Sequence, residues 1–544
     1  MIISIAQLNY RVGNFDYNKS LICAAIGEAK KQGADLVVFT ELCVSGYPPL
    51  SLLSDNGFIE KCSRIISDIA AECSGIAAIV GAPEADEKKL FNSAFVLSEG
   101  KIIFSARKAL LPTYDSFDER RYFTSGEKFS IFHFKGKKIA ITICEDLWDE
   151  RPSDSRFEKP IQCAVSPMEK LTKLKPDMVI NIAALPFSST AIDARENIMK
   201  DKAVRYNLPV ISTNQVGANA EFIFEGNSVA ITAGGAVGKR LPLFEESRQT
   251  FDADELVNPK ETVNAQTVDR IEAIHDALIM GIKDYFAKTG FSKAILGLSG
   301  GIDSAIALYL AAKALGGDNV RSLIMPSRYS SAHSVDDAID LSKRLNARFD
   351  IINIEKSFNT FEEDLAPLFI GKERDITEEN IQARVRAVFL MAVANKFGSI
   401  LINTSNKSEA AVGYGTLYGD ISGGLSVIGD VYKTDVYRLA AYINREEEII
   451  PYNIIMKPPS AELSPNQLDS DSLPEYDTLD NILYQYIELR KPVDEIIDSV
   501  NNRETVCRVI KLINSSEYKR YQSPPALRVS SKALIGRQTP LATR

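Results

Sequence analysis

Short apolar runs of β type alternate along this chain with stretches whose apolar positions recur at helical spacing. In "GKKIAITICEDLWDE", Ile139, Ile141 and Ile143 fall on one face of a strand, and Ala140, Thr142 and Cys144 fall on the other. Cys144 thus stands where the strand stops. The runs "ADLVVF", "KIIFSA", "KAILGL" and "SILIN" also read as strands, and polar residues follow each of them. "IDSAIALYLAAKAL" and "TEENIQARVRAVFLMAVANKFG" have helical spacing. In the second of these Thr377 is the expected N-cap, and Asn380 and Arg384 stand four apart on one face. The alternation covers the whole chain without a short repeat or low-complexity block, which predicts an α/β fold.

The 544 residues exceed the roughly 250 to 300 at which a single core stops growing, so two domains are expected. The best boundary lies in the polar stretch "EESRQTFDADELVNPKETVNAQTVDR", residues 245 to 270. This sets one domain at 1–245, a linker at 246–265 and a second domain at 266–544. The competing reading is a surface loop within one larger fold.

Composition narrows the function class. With 45% hydrophobic and 25% charged residues, the chain reads as an ordinary globular protein, and a net charge of −9 gives no electrostatic footprint for nucleic acid. The start, "MIISIAQLNYRVG", lacks the pattern of a signal peptide, and no apolar run has the length of a membrane span. A cytoplasmic enzyme acting on small molecules, with neither nucleic acid nor membrane as partner, is expected. The seven cysteines (Cys23, Cys43, Cys62, Cys73, Cys144, Cys163, Cys507) are odd in number and form no CxxC pair, against both a disulfide framework and a zinc site.

Cys144 becomes a nucleophile only if one group takes its proton and another stabilises the oxyanion it creates. His133, on the preceding strand, is one candidate base, but nothing around it has a cysteine-protease signature. Glu41 and Lys108 each follow a β-like run, as Cys144 does. The strings "TELCVSGYPP", "RKALLPTYDSFDERRYF", "ICEDLW" and "NQVGANAEFIFEGNS" resemble the nitrilase (carbon-nitrogen hydrolase) superfamily over about the first 240 residues. The resemblance implies an N-terminal αββα sandwich with Glu41 as general base, Lys108 as oxyanion support and Cys144 as nucleophile. It also implies Glu119 as a further carboxylate near the lysine and Tyr114 as a lining residue of a glutamine pocket. One departure concerns that pocket: glutamine-using members often carry a Ser before the Pro of an "SPF"-like string and a basic residue six positions later. Here those positions hold Leu185 and Ala191. Arg195 is the candidate to hold the glutamine carboxylate in their place.

In the second half, "LGLSGGIDSA" joins a strand to a helix through two glycines. Such a turn lets backbone approach phosphate oxygens, and the helix N-terminus supplies unpaired N–H groups and a positive dipole. No Walker lysine and no G-x-G-x-x-G follow. "SGGIDSA" resembles the pyrophosphatase loop of ATP-dependent amide-forming and thiolating enzymes, which cleave ATP between the α and β phosphates. After the strand "SILIN" come Thr404, Asn406, Lys407 and Glu409, at the strand end where ligands of open α/β sheets bind.

That segment, with "MPSRYSSAHSVDDA", "KPPSAELSPNQLDSDSLPEYDTLD" and "SEYKRYQSPPALR", resembles the NAD synthetase family. The resemblance implies a doubly wound parallel sheet of the ATP pyrophosphatase type. It assigns ATP to Gly297, Leu298, Ser299, Gly300, Gly301, Ile302, Asp303, Ser304 and Thr404, and deamido-NAD to Asn380, Arg384, Glu409 and Lys519. It gives Mg²⁺ to Asp303 and Glu409, and it implies a homo-oligomer. Both halves together resemble the glutamine-dependent NAD synthetases, which amidate nicotinic acid adenine dinucleotide through an acyl-adenylate with ammonia taken from glutamine and passed internally. Two rivals are a glutamine-fed adenylating synthetase for another carboxylate, and a nitrilase-like half that only docks. The strings around Asn380, Glu409 and Lys519 count against the first, and intact Glu41, Lys108 and Cys144 against the second.

Overall fold

Within the strand Ile2–Gln7, Ile3 and Ile5 point to one side while Ala6 points to the other, and this period of two decides how the first part of the chain is layered. The computed structural model describes residues 1–113, 117–148, 166–257, 263, 268–465 and 467–534. The chain divides into two compact units, Met1–Thr267 and Val268–Arg544.

The first unit contains two six-stranded mixed sheets. One runs in the order Ser247–Asp252, Ile2–Gln7, Leu36–Val38, Ala77–Asp86, Lys89–Ser98, Lys101–Arg107; the other in the order Val237–Arg240, Val229–Ile231, Val210–Asn214, Met178–Ala183, Lys137–Ile143, Phe132–Phe134. Ile3, Ile5, Leu36, Val38 and Ile79 of the first sheet pack with Ile139, Ile141, Ile143, Ile180 and Ile182 of the second. The opposite faces are covered by helices. Phe39 and Val80 meet Ile22, Ile26, Ile66 and Ile69 of the helices Phe15–Lys31 and Asn56–Glu72, while Ala140, Val179 and Val229 meet Met168, Met199 and Ala203. This is an αββα sandwich, its central strands being apolar on both faces because both are covered.

Part of the stretch expected as a linker is strand instead. Ser247–Asp252 pairs antiparallel with Ile2–Gln7, Phe251 opposite Ile3, and Asp252 Oδ1 accepts from the N-terminal ammonium at 3.1 Å. Its polar composition suits a sheet edge most of whose residues remain partly in water, which is why it reads as a linker in the sequence.

The second unit is built on a five-stranded, wholly parallel sheet in the order Arg348–Ile351, Val320–Ile324, Ala294–Gly297, Ile400–Asn403, Leu425–Ser426. From Ala294–Gly297 the chain winds outward through the next two strands in sequence, then returns to lay Ile400–Asn403 on the other side. The fold is doubly wound, and the reversal leaves a crevice at the carboxyl ends of these two central strands. The helix Ile376–Phe397 covers one face through Val385 and Ala394, which pack with Ile295, Leu323 and Leu401. Its N-cap is Asp375, whose side chain accepts from Thr377 N, so the expected cap at Thr377 is displaced by two residues. A carboxylate before the first turn is the better acceptor for its free N–H groups.

Candidate active sites

The strand Lys137–Ile143 ends directly at Cys144, which opens a one-turn 3₁₀ segment, Cys144–Leu147. Its φ is +46°, a left-handed conformation that costs a side-chain-bearing residue about 1–3 kcal/mol and persists only where the surroundings impose it. The thiol is buried. Burial first, then Glu41, pushes its pKa well above the ordinary value, and Lys108 opposes them. Cys43 and Cys62 are also buried and pushed up to about 12, but the leading influences on them are burial and backbone groups. The leading charges on Cys144 are Glu41, Lys108, Glu145 and Glu119; His133, exposed on its own short strand, is not among them.

Lys108 follows the strand Lys101–Arg107 and is fully buried, which an ammonium tolerates only with partners. Its Nζ donates to Glu41 Oε1 at 2.7 Å and to Glu119 Oε1 at 3.0 Å. Burial works to discharge it, but Glu119 and Glu41 together hold its pKa well above the ordinary lysine value. Glu119 is pushed up to about 7 by burial, with Lys108 pulling it down and Glu41 pushing it up. Tyr47 donates its hydroxyl to Glu119 Oε1 at 3.0 Å. Glu41 also accepts from Asn92 Nδ2 at 2.8 Å and from the Ala184 N–H at 3.2 Å, so three donors fix its orientation. Its backbone is seated by close approach: a Cβ on Gly81 would lie 2.4 Å from Thr40 O and 2.5 Å from Leu42 N, so only glycine fits beneath the chain there.

The glutamine-pocket candidates fare differently. Arg195 donates Nη1 to Glu225 Oε1 at 2.7 Å and Nη2 to Pro186 O at 2.6 Å, so two of its nitrogens already serve the protein itself. Glu225 is buried, and burial raises its pKa against the pull of Arg195; it lies in the string "NQVGANAEFIFEGNS" but was not singled out there. The Leu185 N–H donates to Asn214 Oδ1 at 2.8 Å, and Ala191 is an N-cap without a side-chain bond. Tyr114 and Cys163 lie outside the described residues.

In the second unit Gly297 ends its strand, Leu298 continues the backbone bonding to Leu323, and Gly301 caps the helix Ile302–Leu315 without a side-chain bond. Gly300 has φ +78°, and a Cβ there would stand 2.3 Å from Ser334 O. Ser299 and Ser304 brace the turn: Ser304 Oγ donates to Gly301 O at 3.0 Å, and the Gly301 N–H donates to Ser299 Oγ at 3.2 Å. Half-buried Thr404 lies just past the neighbouring strand Ile400–Asn403.

Asp303 and Glu409 come together through a lysine that sequence reasoning did not single out. Lys433 Nζ forms an ion pair with Asp303 Oδ2 and lies 3.6 Å from Glu409 Oε1; Asn406 Nδ2 donates to Asp303 Oδ1 at 2.9 Å. Burial, then Asp303, pushes Glu409 up to about 8, with Lys433 opposing. Among the described residues no cluster of three or more His, Cys, Asp or Glu could hold a metal. Two hard carboxylates held this close do suit a Mg²⁺ ion that takes the rest of its shell from substrate phosphates and water.

The remaining candidates converge on the loop after the helix Lys407–Val412. Asn380 Oδ1 accepts from Thr416 Oγ1 at 2.8 Å, Arg384 Nε donates to Leu417 O at 3.2 Å, and Lys519 Nζ donates to Gly413 O and Gly415 O at 2.8 and 2.7 Å. Glu409 and Lys519 line one pocket with Asn403, Ser405 and Tyr414. Lys407 departs from its neighbours: it is fully buried and bonds Glu488, Ser530 and Lys532 O, a structural clasp for the C-terminal segment rather than a group at the crevice.

A buried acid–lysine–thiol cluster in a sandwich, joined in one chain to a phosphate-type loop at a switch point, defines a fused α/β enzyme with a hydrolase unit and a nucleotide-binding unit. Residues 2–158 match the carbon-nitrogen hydrolase family and residues 274–523 the NAD synthase family. The chain is 43% identical to the glutamine-dependent NAD(+) synthetase of Synechocystis sp., over 99% of this chain and 98% of that protein, and 38% identical to that of Thermotoga maritima, over 98% and 96%. It is similar to the solved glutamine-dependent NAD+ synthetase of Acinetobacter baumannii in complex with ADP, with a TM-score of 0.78 and 34% identity over 99% of this chain and 98% of that one. The chain belongs to the glutamine-dependent NAD(+) synthetase family and is an enzyme of that activity. Among the described residues, no helix is long and apolar enough to cross a membrane.

Proposed function

We propose that Glu41, Lys108 and Cys144 release ammonia from glutamine, and that the crevice of the second unit uses it to amidate a nicotinate adenylate. The observation that carries this reading is the fully buried Lys108, held between Glu41 and Glu119 beside a thiol in a left-handed turn. Glu41 accepts the thiol proton as sulfur attacks the glutamine amide carbon, and the Lys108 ammonium offsets the charge forming on the amide oxygen. The same proton goes to the leaving nitrogen as the C–N bond breaks. Ammonia departs, and water, deprotonated by Glu41, hydrolyses the thioester to glutamate.

In the second unit, Gly297 to Ser304 and Thr404 hold ATP, and Asn380, Arg384, Glu409 and Lys519 hold nicotinic acid adenine dinucleotide. Its carboxylate attacks the α-phosphorus, pyrophosphate leaves, and the acyl-adenylate takes up ammonia to give NAD and AMP. Glycine-loop N–H groups and Lys433 face the phosphate charge. Mg²⁺ held by Asp303 and Glu409 would supply Lewis-acid charge at the leaving group. Ammonia at neutral pH is mostly protonated in water and then no nucleophile, which supports internal transfer. A cytoplasmic homo-oligomer completes the reading, on the resemblance of the sequence.

The test is NAD formation from deamido-NAD and Mg-ATP with glutamine or ammonium. Cys144→Ala is expected to abolish the glutamine-dependent rate and keep the ammonium-dependent one. Glutamine turnover persisting in Cys144→Ala refutes the nucleophile, and absence of NAD with both nitrogen sources in the wild type refutes the substrate.

A further inference from the structure

The strands that deliver Lys108 and Cys144 belong to different sheets, so no ladder of backbone bonds sets their relative position. One side chain does connect them. Asp146, buried in the turn Cys144–Leu147, accepts at Oδ1 from the N–H groups of Ala109 (3.0 Å) and Leu110 (2.9 Å), the two residues that follow Lys108. Its Oδ2 accepts from the N–H of Ile143 (3.3 Å), the residue before Cys144. Backbone N–H groups have fixed directions, so three of them on one planar carboxylate lock two segments 37 positions apart in the chain. The bond to Ile143 also closes the turn over the left-handed Cys144, a conformation that must be imposed from outside.

We propose that Asp146 is a positioning residue of the glutaminase reaction, holding the Lys108 ammonium and the Cys144 sulfur in register across the two sheets. This rests on the reading of Cys144 as the nucleophile. A misplacement of about 1 Å costs on the order of 100-fold in rate, so loss of the tie acts on turnover rather than on glutamine affinity.

The experiment compares full-length wild type, Cys144→Ala, Asp146→Asn and Asp146→Glu. In Asp146→Asn, either orientation of the amide turns an NH₂ toward at least one backbone N–H; Asp146→Glu keeps the carboxyl group and moves it. In both, the glutamine-dependent kcat is expected to fall about tenfold or more, with KM for glutamine and the ammonium-dependent rate within about twofold of wild type. Alkylation of Cys144 by iodoacetamide, followed on its peptide by mass spectrometry, is expected to slow in the same variants. An unchanged kcat in either variant overturns the proposal. So does a rise in KM at constant kcat, or equal loss of the ammonium-dependent rate in both variants, which marks general damage to the fold. If Cys144→Ala still turns over glutamine, the nucleophile assignment has failed whatever Asp146 does.

Discussion

At the scale of the residue, both candidate sites contain a buried ammonium shared between two carboxylates. Lys108 serves Glu41 and Glu119, and Lys433 serves Asp303 and Glu409. Removing one partner of such a set leaves charge buried without compensation, a loss of about 3–5 kcal/mol where burial is complete. Lys433→Met is therefore expected to lower NAD formation at least about tenfold with either nitrogen source while leaving glutamine hydrolysis intact, which parallel glutamate and NAD assays would check. Asp146 supplies a pH test. Burial pushes its carboxyl up to about 7, with the N–H groups of Leu110 and Ala109 and the charge of Lys108 opposing. The folded state thus binds this proton more tightly than the unfolded chain does, so its contribution to stability is present below the ordinary carboxyl range and lost as pH rises through about 7. Between pH 5 and 8, the melting temperature of the wild type should fall relative to that of Asp146→Asn. A difference that does not change with pH would exclude this titration.

At the scale of the element, the residues proposed for the chemistry stand where strands end, and their sequences show how far local pattern reaches. Ala294–Gly297, the two glycines and Ile302–Leu315 were legible together, because a strand period, a turn signal and a helical period meet there. The reason for Gly300 was not, since Ser334 O presses on it from a segment distant in the chain. Gly300→Ala adds a clash with that oxygen to the roughly 1–2 kcal/mol of left-handed strain. Its KM for ATP in the ammonium-dependent reaction is expected to rise about tenfold or more, and an unchanged KM would show that the loop yields. Ser247–Asp252 shows the opposite limit: its polar residues resemble a linker, and only the pairing with Ile2–Gln7 makes them a strand. Asp375 displaced Thr377 as a cap because two capping residues two positions apart compete and the helix start chooses between them.

At the scale of the molecule, two compact units divide the work, each with its own sheets and core. Residues 268–544 produced alone are expected to form NAD from ammonium and not from glutamine; failure with ammonium would show that the second unit needs the first. The sequence by itself determined the periods of strands and helices, the joints at which Glu41, Lys108, Cys144 and Asp303 stand, and the family, because these are carried by neighbours along the chain. Tertiary structure alone decided the partners. Lys108 meets Glu41 across 67 positions, Lys433 meets Asp303 across 130, and Arg195 is taken by Glu225 across 30. A charge can be buried only where another part of the chain brings its counter-charge within bonding distance, and that depends on the packing of sheets rather than on the order of residues.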